Sequence, residues 1–197
     1  MNLPSPISTA LDAHNGLLTM RQIAALGYSR TAAGRWVKQG LLERASHGVY
    51  RQPGELTDTL FLLLSRHPRL VASHGTALFL WGLAETAPER WTVTAPHGHE
   101  PPASVRAVCQ CFYSAPDRLG IGLCRRPTPF GNEVPCHDPE RALCDILRAR
   151  RRLDTELVVA ALRNWAASPD RDPARLARHA AALGVADLVK SRVEALL

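Results

Sequence analysis

Residues 29–54, with the sequence SRTAAGRWVKQGLLERASHGVYRQPG, combine hydroxyl and cationic side chains at spacings that suit the recognition of a polyanion. On a helix over residues 30–39, Thr31, Arg35 and Lys38 lie opposite the apolar face. Arginine can pair with guanine edges in the major groove of DNA, and lysine can pair with phosphates. The segment therefore predicts contacts with double-stranded DNA, made by a helix and by the basic hairpin that follows it.

The predicted contact set covers this helix, its cap and the hairpin. Gly34 belongs to it because a glycine inside a helix costs about 1 kcal/mol relative to alanine, which indicates close approach by a DNA backbone or by the preceding helix. The competing interpretation is that Arg35 and Lys38 only solvate an exposed helix. The predicted DNA-binding residues are Ser29, Arg30, Thr31, Gly34, Arg35, Lys38, Arg44, His47 and Arg51.

These side chains need a scaffold, and residues 1–53 carry the start and stop signals of a winged helix-turn-helix domain. Thr19 and Gln22 fit a capping box at the start of a short helix. Ser29 caps the next helix, which has apolar residues at the spacing of one buried face. The apolar period then changes to two, with a turn at Gly48, as in a hairpin. Three helices followed by a hairpin predict this domain class.

The charge of the chain is unevenly distributed. The formal net charge is +6, and residues 1–53 hold six of the 24 Lys and Arg residues but two of the 18 Asp and Glu residues. About a quarter of the chain therefore carries +4 of the net charge of +6, which favours a polyanionic partner. Since the sequence has neither a secretory signal nor an apolar run of roughly 18 residues, we expect a cytoplasmic protein with no membrane partner.

Beyond residue 53 the pattern predicts an α/β domain over residues 54–197. An apolar helix is expected from about Leu56 to Arg66, and Ser73 is expected to cap another. Asp138 and the proline after it open the first of the helices predicted from about residue 138. The predicted fold class is α+β, with a winged helix-turn-helix followed by a small mixed sheet and a C-terminal helical portion. The predicted strands cover residues 91–95, 105–113 and 121–126.

One alternative function is a DNA nuclease delivered to its substrate by the winged helix. Metal-dependent nucleases commonly need a lysine beside their acids, yet the lysines of this chain are Lys38 and Lys190. The sequence also lacks P-loop, G-x-S-x-G and H-E-x-x-H patterns. No catalytic residue is therefore predicted. The acidic residues that cluster in sequence are Glu133, Asp138, Glu140 and Asp145.

Another alternative is a metal-sensing or thiol-sensing repressor that uses His97, His99, Cys109 and Cys111, whose types suit zinc. In a strand over residues 105–113, however, the two cysteines share a face with apolar residues, as in a core. The five cysteines are an odd number without C-x-x-C spacing, which indicates reduced thiols. Neither a metal nor a cofactor is predicted.

Four sequence segments lie in this order at residues 46–55, 73–83, 91–96 and 137–148: SHGVYRQPGE, SHGTALFLWGL, WTVTAP and HDPERALCDILR. Together they resemble the AbiEi family of bacterial abortive-infection antitoxins of type IV toxin-antitoxin systems. The resemblance implies an N-terminal domain that represses its own operon by binding inverted repeats, which a dimer on DNA would read. It also implies a C-terminal domain that opposes a nucleotidyltransferase-like toxin, a role in phage defence, and no enzymatic activity.

Two further groups are interpreted as structural. His74 lies near a predicted helix start, where a hydrogen-bonded structural histidine is favoured over a catalytic one. Arginines at a predicted helix end complement the helix dipole, and the alternative is a second contact with DNA or toxin. These arginines are Arg148, Arg150, Arg151 and Arg152.

Overall fold

The computed structural model describes residues 2–54 and 57–194, which form two compact units. The first unit extends to residue 66 and also includes residues 127–133, and the second contains residues 67–126 and the chain from 134 onward. The predicted fold class is confirmed, since a winged-helix region is followed by a mixed sheet and then by helices. The predicted boundary after residue 53 stays a prediction.

The first unit has the element order of a winged helix. Its three-stranded sheet has the order β1-β3-β2 and is antiparallel. Strand β1 was not predicted, and it extends the predicted hairpin to a sheet of three strands. The elements are α1 (Ser5–Ala13), β1 (Leu17–Thr19), α2 (Met20–Ala25), α3 (Arg30–Lys38), β2 (Glu43–Ser46), β3 (Val49–Arg51) and α4 (Thr59–Arg66).

The predicted caps of α2 and α3 are confirmed. The Gln22 amide N–H donates to Thr19 Oγ1 at 3.3 Å, and the Thr19 amide N–H donates to Gln22 Oε1 at 2.7 Å, which completes the capping box. The Ser29 hydroxyl oxygen accepts from the Ala32 amide N–H at 3.3 Å. Because these bonds satisfy amide groups that have no partner within the helix, they fix where both helices begin.

A single apolar cluster holds the first unit together. Trp36 of α3 belongs to this cluster and is almost fully buried. The ring of Tyr28 packs edge-on against the Trp36 ring, with the ring centroids 5.3 Å apart. Burial of such side chains is the main stabilising contribution in a domain of this size. The buried members are Ile7, Leu11, Leu18, Ile23, Ala33, Trp36, Leu42 and Tyr50.

The distant segment 127–133 is tied to the first unit through Asp58. One carboxylate oxygen of Asp58 accepts from the Thr128 hydroxyl at 2.5 Å and from the Asn132 amide at 3.1 Å. The other accepts from the Phe61 amide N–H at 2.9 Å, which caps α4. The predicted start of this helix at Leu56 lies outside the described residues.

The second unit is built on a five-stranded mixed sheet of order β6-β5-β4-β8-β7. Strand β4 is antiparallel to β5 and parallel to β8, and β5 is parallel to β6. The elements are β4 (Val71–Ala72), α5 (His74–Leu80), β5 (Trp91–Pro96), α6 (Ala103–Val108), β6 (Cys109–Ser114), α7 (Pro116–Leu119), β7 (Leu123–Pro127), β8 (Glu133–His137), α8 (Pro139–Ala149), α9 (Thr155–Ala167), α10 (Pro173–Leu183) and α11 (Ala186–Glu194), with a 3-10 turn at Arg150–Arg152.

Three sequence predictions for the second unit were wrong in detail. Residues 105–108 belong to helix α6 rather than to a strand. The preceding Pro101-Pro102 pair favours a helix start. The alternation of Val105 and Ala107 had instead indicated a strand. Strand β7 runs from Leu123 to Pro127, two residues later at its start than predicted. Ser73 occupies the N-cap position of α5, but its side chain makes no capping bond.

Helix α8 is the centre of the second unit. It is buried at every position from Glu140 to Leu147 and packs against α5, α9, α10 and α11. Its Arg141 donates through Nε to the Asp145 carboxylate at 3.0 Å, one turn later, and through Nη1 to the carbonyl oxygens of Arg118 and Ile121 at 2.7 and 3.0 Å. A charged residue inside the core is thus paired with a carboxylate and two carbonyls, as buried ions require.

The other polar residues of the HDPER segment also bond within this unit. Asp138 caps α8 by accepting from the Arg141 amide N–H at 2.7 Å, as predicted, and its second oxygen lies 2.9 Å from Nε2 of His179. Oε1 of the buried Glu140 accepts from the Trp165 indole at 3.0 Å and from the Asp172 amide at 3.1 Å. These contacts give the segment a structural role within the second unit.

Gly122 is packed against the start of α8. Its φ is +69°, and an added Cβ would lie 2.7 Å from Cβ of Arg141 and 3.0 Å from an Asp138 carboxylate oxygen. The Gly122 carbonyl also accepts from the Asp138 amide N–H at 2.7 Å. Only glycine fits both the left-handed backbone and this close approach.

We expect Gly122→Ala to destabilise the second unit by more than about 1 kcal/mol, because the left-handed backbone and the crowding by Arg141 act together. Gly120→Ala is the matched control, since Gly120 has φ −76° and, apart from its chain neighbours, no described residue has a heavy atom within 4 Å of an added Cβ. This variant should stay within about 0.5 kcal/mol of wild type. Thermal unfolding followed by circular dichroism measures both variants. Equal melting temperatures would contradict this account of Gly122.

Candidate nucleic-acid interface

Helix α3 faces the core of the first unit with Ala33 and Trp36, which fixes the direction of its other side chains. The polar residues of the helix and its cap turn away from that core and are exposed to solvent. No acidic residue lies within α3, and Arg35 and Lys38 occupy its last turns. The exposed set from the predicted interface is Ser29, Arg30, Thr31, Arg35 and Lys38.

Gly34 lies on the same helix and is half-buried. Within the described residues, no heavy atom outside its own helical turn and chain neighbours lies within 4 Å of a Cβ added at Gly34. Of the two approaches that the sequence suggested, crowding by the preceding helix is therefore wrong. The space beside Gly34 is open.

The hairpin of β2 and β3 places two more predicted residues on the surface. Arg44 is exposed, with its guanidinium carbon 6.0 Å from the ring centroid of Tyr50, and His47 is exposed in the turn. The turn carbonyl of Gly48 accepts from the Met20 amide N–H at 2.7 Å, which connects the wing to the start of α2. The basic wing is thereby held to the helical part of the unit.

Arg51 differs from the other predicted DNA-binding residues because its guanidinium bonds to side chains of the protein itself. Its Nη2 lies 2.6 Å from a Glu43 carboxylate oxygen, and Nε donates to the same oxygen at 2.8 Å. Its Nη1 donates to the Thr57 hydroxyl at 2.5 Å. These bonds join the two strands of the wing to the segment before α4, and Arg51 is only half-exposed.

The acidic residues considered for a nuclease do not form one open cluster. Asp138, Glu140 and Asp145 each bond to different partners within the second unit. Within residues 2–54 and 57–194, no group of three or more His, Cys, Asp or Glu side chains is arranged to hold a metal ion.

The residues considered for a sensor are also dispersed. Nδ1 of His99 lies 3.5 Å from a guanidinium nitrogen of Arg69. Burial raises the pKa of Cys109 to about 11, with the neighbouring Cys111 acting in the same direction. All five cysteines are free thiols. At neutral pH the Cys109 thiol is therefore protonated, which disfavours both metal ligation and redox reactivity.

Sequence reasoning missed the residues that hold the wing in place. Leu18 of β1 pairs with Tyr50 of β3, and Met20 binds the wing turn. The available signal was the short apolar run Leu17-Leu18 after the turn at Asn15-Gly16, which is too short to be recognised as a strand by its period.

The first unit therefore combines a capped helix that has an exposed cationic face with a hairpin that has basic residues near its turn. This arrangement is that of a winged helix-turn-helix domain, a class that typically binds DNA. None of the helices in the part of the chain that the structure describes is long and apolar enough to cross a membrane.

Residues 6–53 match a protein-family model described as transcriptional regulator, AbiEi antitoxin. The resemblance to this family is confirmed there, and it supports a DNA-binding regulator of a toxin-antitoxin system. The family is one of regulators and not a known family of enzymes. No curated protein matches the chain. The fold is similar to the crystal structure of the RV2827C protein from Mycobacterium tuberculosis, with 17% sequence identity and a TM-score of 0.53 over 95% of this chain and 78% of that chain.

We expect Gly34→Ala to stabilise the first unit by up to about 1 kcal/mol, because alanine is the better helix former and nothing in the unit crowds the new methyl group. The same methyl group should weaken DNA binding, since it lies on the predicted contact face. Thermal unfolding and a gel-shift titration on the upstream DNA measure the two effects. Stabilised protein with unchanged DNA affinity would mean that the DNA backbone does not approach Gly34.

Proposed function

We propose that this chain is a DNA-binding autorepressor and antitoxin of a bacterial type IV toxin-antitoxin system. It binds inverted repeats at its own promoter and counteracts a nucleotidyltransferase-like toxin in the cytoplasm. The observation that carries the proposal is the exposed cationic face of α3 in a unit that matches a family of antitoxin regulators. The proposed DNA contacts are Ser29, Arg30, Thr31, Gly34, Arg35, Lys38, Arg44, His47 and Arg51.

The electrostatics of the first unit support the DNA-binding half of this proposal. Of the two acidic residues in residues 1–53, Glu43 is already paired with Arg51. The cations of α3 and the wing are therefore opposed by little negative charge within this part of the chain. Exposed cations of this kind attract the phosphate backbone and release counterions when they bind it.

The proposed roles differ between the two main helix cations. Arg35 has the planar fork that pairs with two acceptors of a guanine edge, and so we assign it to base reading. Lys38 lies about one turn further along the helix, and we assign it to a phosphate as a point charge. Since one winged helix reads only a few base pairs, two copies on an inverted repeat give a site of useful length.

The toxin-opposing half of the proposal rests on the second unit. The SHGTALFLWGL and HDPERALCDILR segments, which carry the resemblance beyond the winged helix, contribute helices α5 and α8 to it. These helices pack against each other. Antitoxin activity assigned to this unit should therefore not depend on the DNA-contacting residues of α3.

Arg35→Ala should weaken binding to the inverted repeat by about 1 to 3 kcal/mol, because the variant loses a base contact. Lys38→Ala should lower the slope of log affinity against log salt concentration by roughly one, because it loses one phosphate contact. Footprinting locates the site, and titrations at several salt concentrations give both quantities.

The matched control for these variants is Arg163→Ala, which removes one exposed cation from α9 in the second unit. Its DNA affinity and salt slope should equal those of wild type. Protection of the promoter no better than that of random DNA would reject operator binding. Equal affinities for wild type, Arg35→Ala and Lys38→Ala would reject the proposed face.

The double variant Arg35→Ala, Lys38→Ala should still protect cells from the cognate toxin, because both substitutions lie on an exposed face of the first unit. Toxin and full-length variant are expressed from unrelated inducible promoters, so that autoregulation does not enter, and survival is counted. Loss of rescue by a folded double variant would mean that toxin neutralisation depends on the DNA-binding face. Absence of rescue by wild type would reject the antitoxin activity.

A further inference from the structure

A cavity of about 310 Å³ lies within the second unit, and neither the DNA-binding face nor the proposed antitoxin role accounts for it. It is lined by residues of α5, β5, β6 and α8 and of the 3-10 turn after α8. Three of its lining residues are arginines, Arg141, Arg148 and Arg152, and Asp145 supplies the one carboxylate of the lining. This composition favours an anionic ligand.

The two outer arginines are available to such a ligand. The Asp145 carboxylate is already taken by Arg141 at 3.0 Å and by Nδ1 of His137 at 3.1 Å. Arg148 and Arg152 are exposed, and neither has a carboxylate partner among the residues that the structure describes. The guanidinium of Arg152 lies over the ring of Phe112, with its carbon 4.9 Å from the ring centroid, which holds it at the cavity.

His74 supplies a buried donor that has no partner among the described residues. It is 5% exposed, and its ring stacks on Phe112 with centroids 3.6 Å apart. The Thr94 hydroxyl donates to Ser73 Oγ at 2.8 Å, and Ser73 Oγ lies 2.9 Å from Nδ1 of His74. With Ser73 donating to Nδ1, the imidazole proton lies on Nε2, which has no hydrogen-bond partner among the described residues.

The conformation and protonation of His74 fit this role. Its φ is +49°, a left-handed value that a non-glycine residue adopts at a cost, and such strain is concentrated at functional sites. Burial lowers the pKa of His74 to about 4, with Arg141, Arg152 and His137 acting in the same direction and Asp145 opposing them. At neutral pH the side chain is therefore an uncharged donor.

The mouth of the cavity has aromatic surface. The rings of His97 and Tyr113 are nearly parallel, at 21°, with centroids 6.3 Å apart, and both residues are exposed. Exposed aromatic faces of this kind stack with flat heterocycles. The cavity volume is in the range of sites that hold small organic ligands.

We propose that this cavity binds a nucleotide, with the phosphate between Arg148, Arg152 and the Nε2–H of His74 and the base against Tyr113. Guanidinium forks match phosphate oxygens bidentately, while the hydroxyls and rings near the mouth serve the sugar and the base. The site is separate from the DNA-binding face, and its existence does not depend on the toxin-antitoxin function.

The test is calorimetric titration of the full-length protein with AMP, GMP, CMP and UMP, and with inorganic phosphate and adenosine as partial ligands. At least one monophosphate should bind once per chain, about tenfold or more tightly than either partial ligand. Arg148→Ala and Arg152→Ala should each weaken that binding about tenfold or more, which corresponds to the loss of one charge-assisted contact. His74→Asn should weaken it as well, since asparagine tolerates the left-handed backbone but does not reproduce the imidazole.

Arg151→Ala is the matched control, because Arg151 is an exposed neighbour in the same turn and does not line the cavity. It should bind like wild type, and so should the variant Arg35→Ala, Lys38→Ala. Arg148→Ala leaves the contact of Arg152 with Phe112 in place, so this variant tests the site even if Arg152→Ala is misfolded. Absence of binding by every monophosphate, or equal binding by Arg148→Ala and wild type, would overturn the proposal. Inorganic phosphate binding as tightly as the best monophosphate would overturn the assignment of the base.

Discussion

Removing a guanidinium and a carboxylate from water costs several kcal/mol for each ion. Arg141 and Asp145 offset that cost because they bind each other and because each also has a further partner. Asp145 accepts from Arg141 and from His137, and Arg141 also donates to the carbonyl of Arg118 in α7 and to that of Ile121. These bonds connect α8 to β8 and to the loop before β7. Since α5, α9, α10 and α11 all pack on α8, the arrangement of the second unit depends on this buried pair remaining complete.

The first unit, by contrast, presents charged side chains to solvent on α3 and the wing. Its core uses apolar residues from each of its first three helices and from its sheet, and Trp36 fixes the rotation of α3. One side of α3 is thereby committed to the core, so that Arg35 and Lys38 can only face solvent.

Local signals in the sequence predicted the first unit well, because its caps and turns depend on residues only three or four positions apart. The capping box of Thr19 and Gln22 is an example. The second unit was predicted less well, since β4 is two residues long and pairs with β5 and β8, which are distant in sequence. The cavity was missed for the same reason, since its lining residues are distant from one another in sequence. His74 and Arg152 are 78 positions apart, and each has an ordinary structural interpretation until the fold places them around one space.

The attachment of residues 127–133 to the first unit has a consequence for synthesis of the chain on the ribosome. Asp58 finds its partners Thr128 and Asn132 only after about 70 further residues have been made. Until then the carboxylate of this nearly buried residue has no side-chain partner from that segment. The complete first unit therefore forms only after the ribosome has translated past residue 133, when the second unit is half made. A nascent chain stalled before that point holds the whole winged helix but not the segment that completes it.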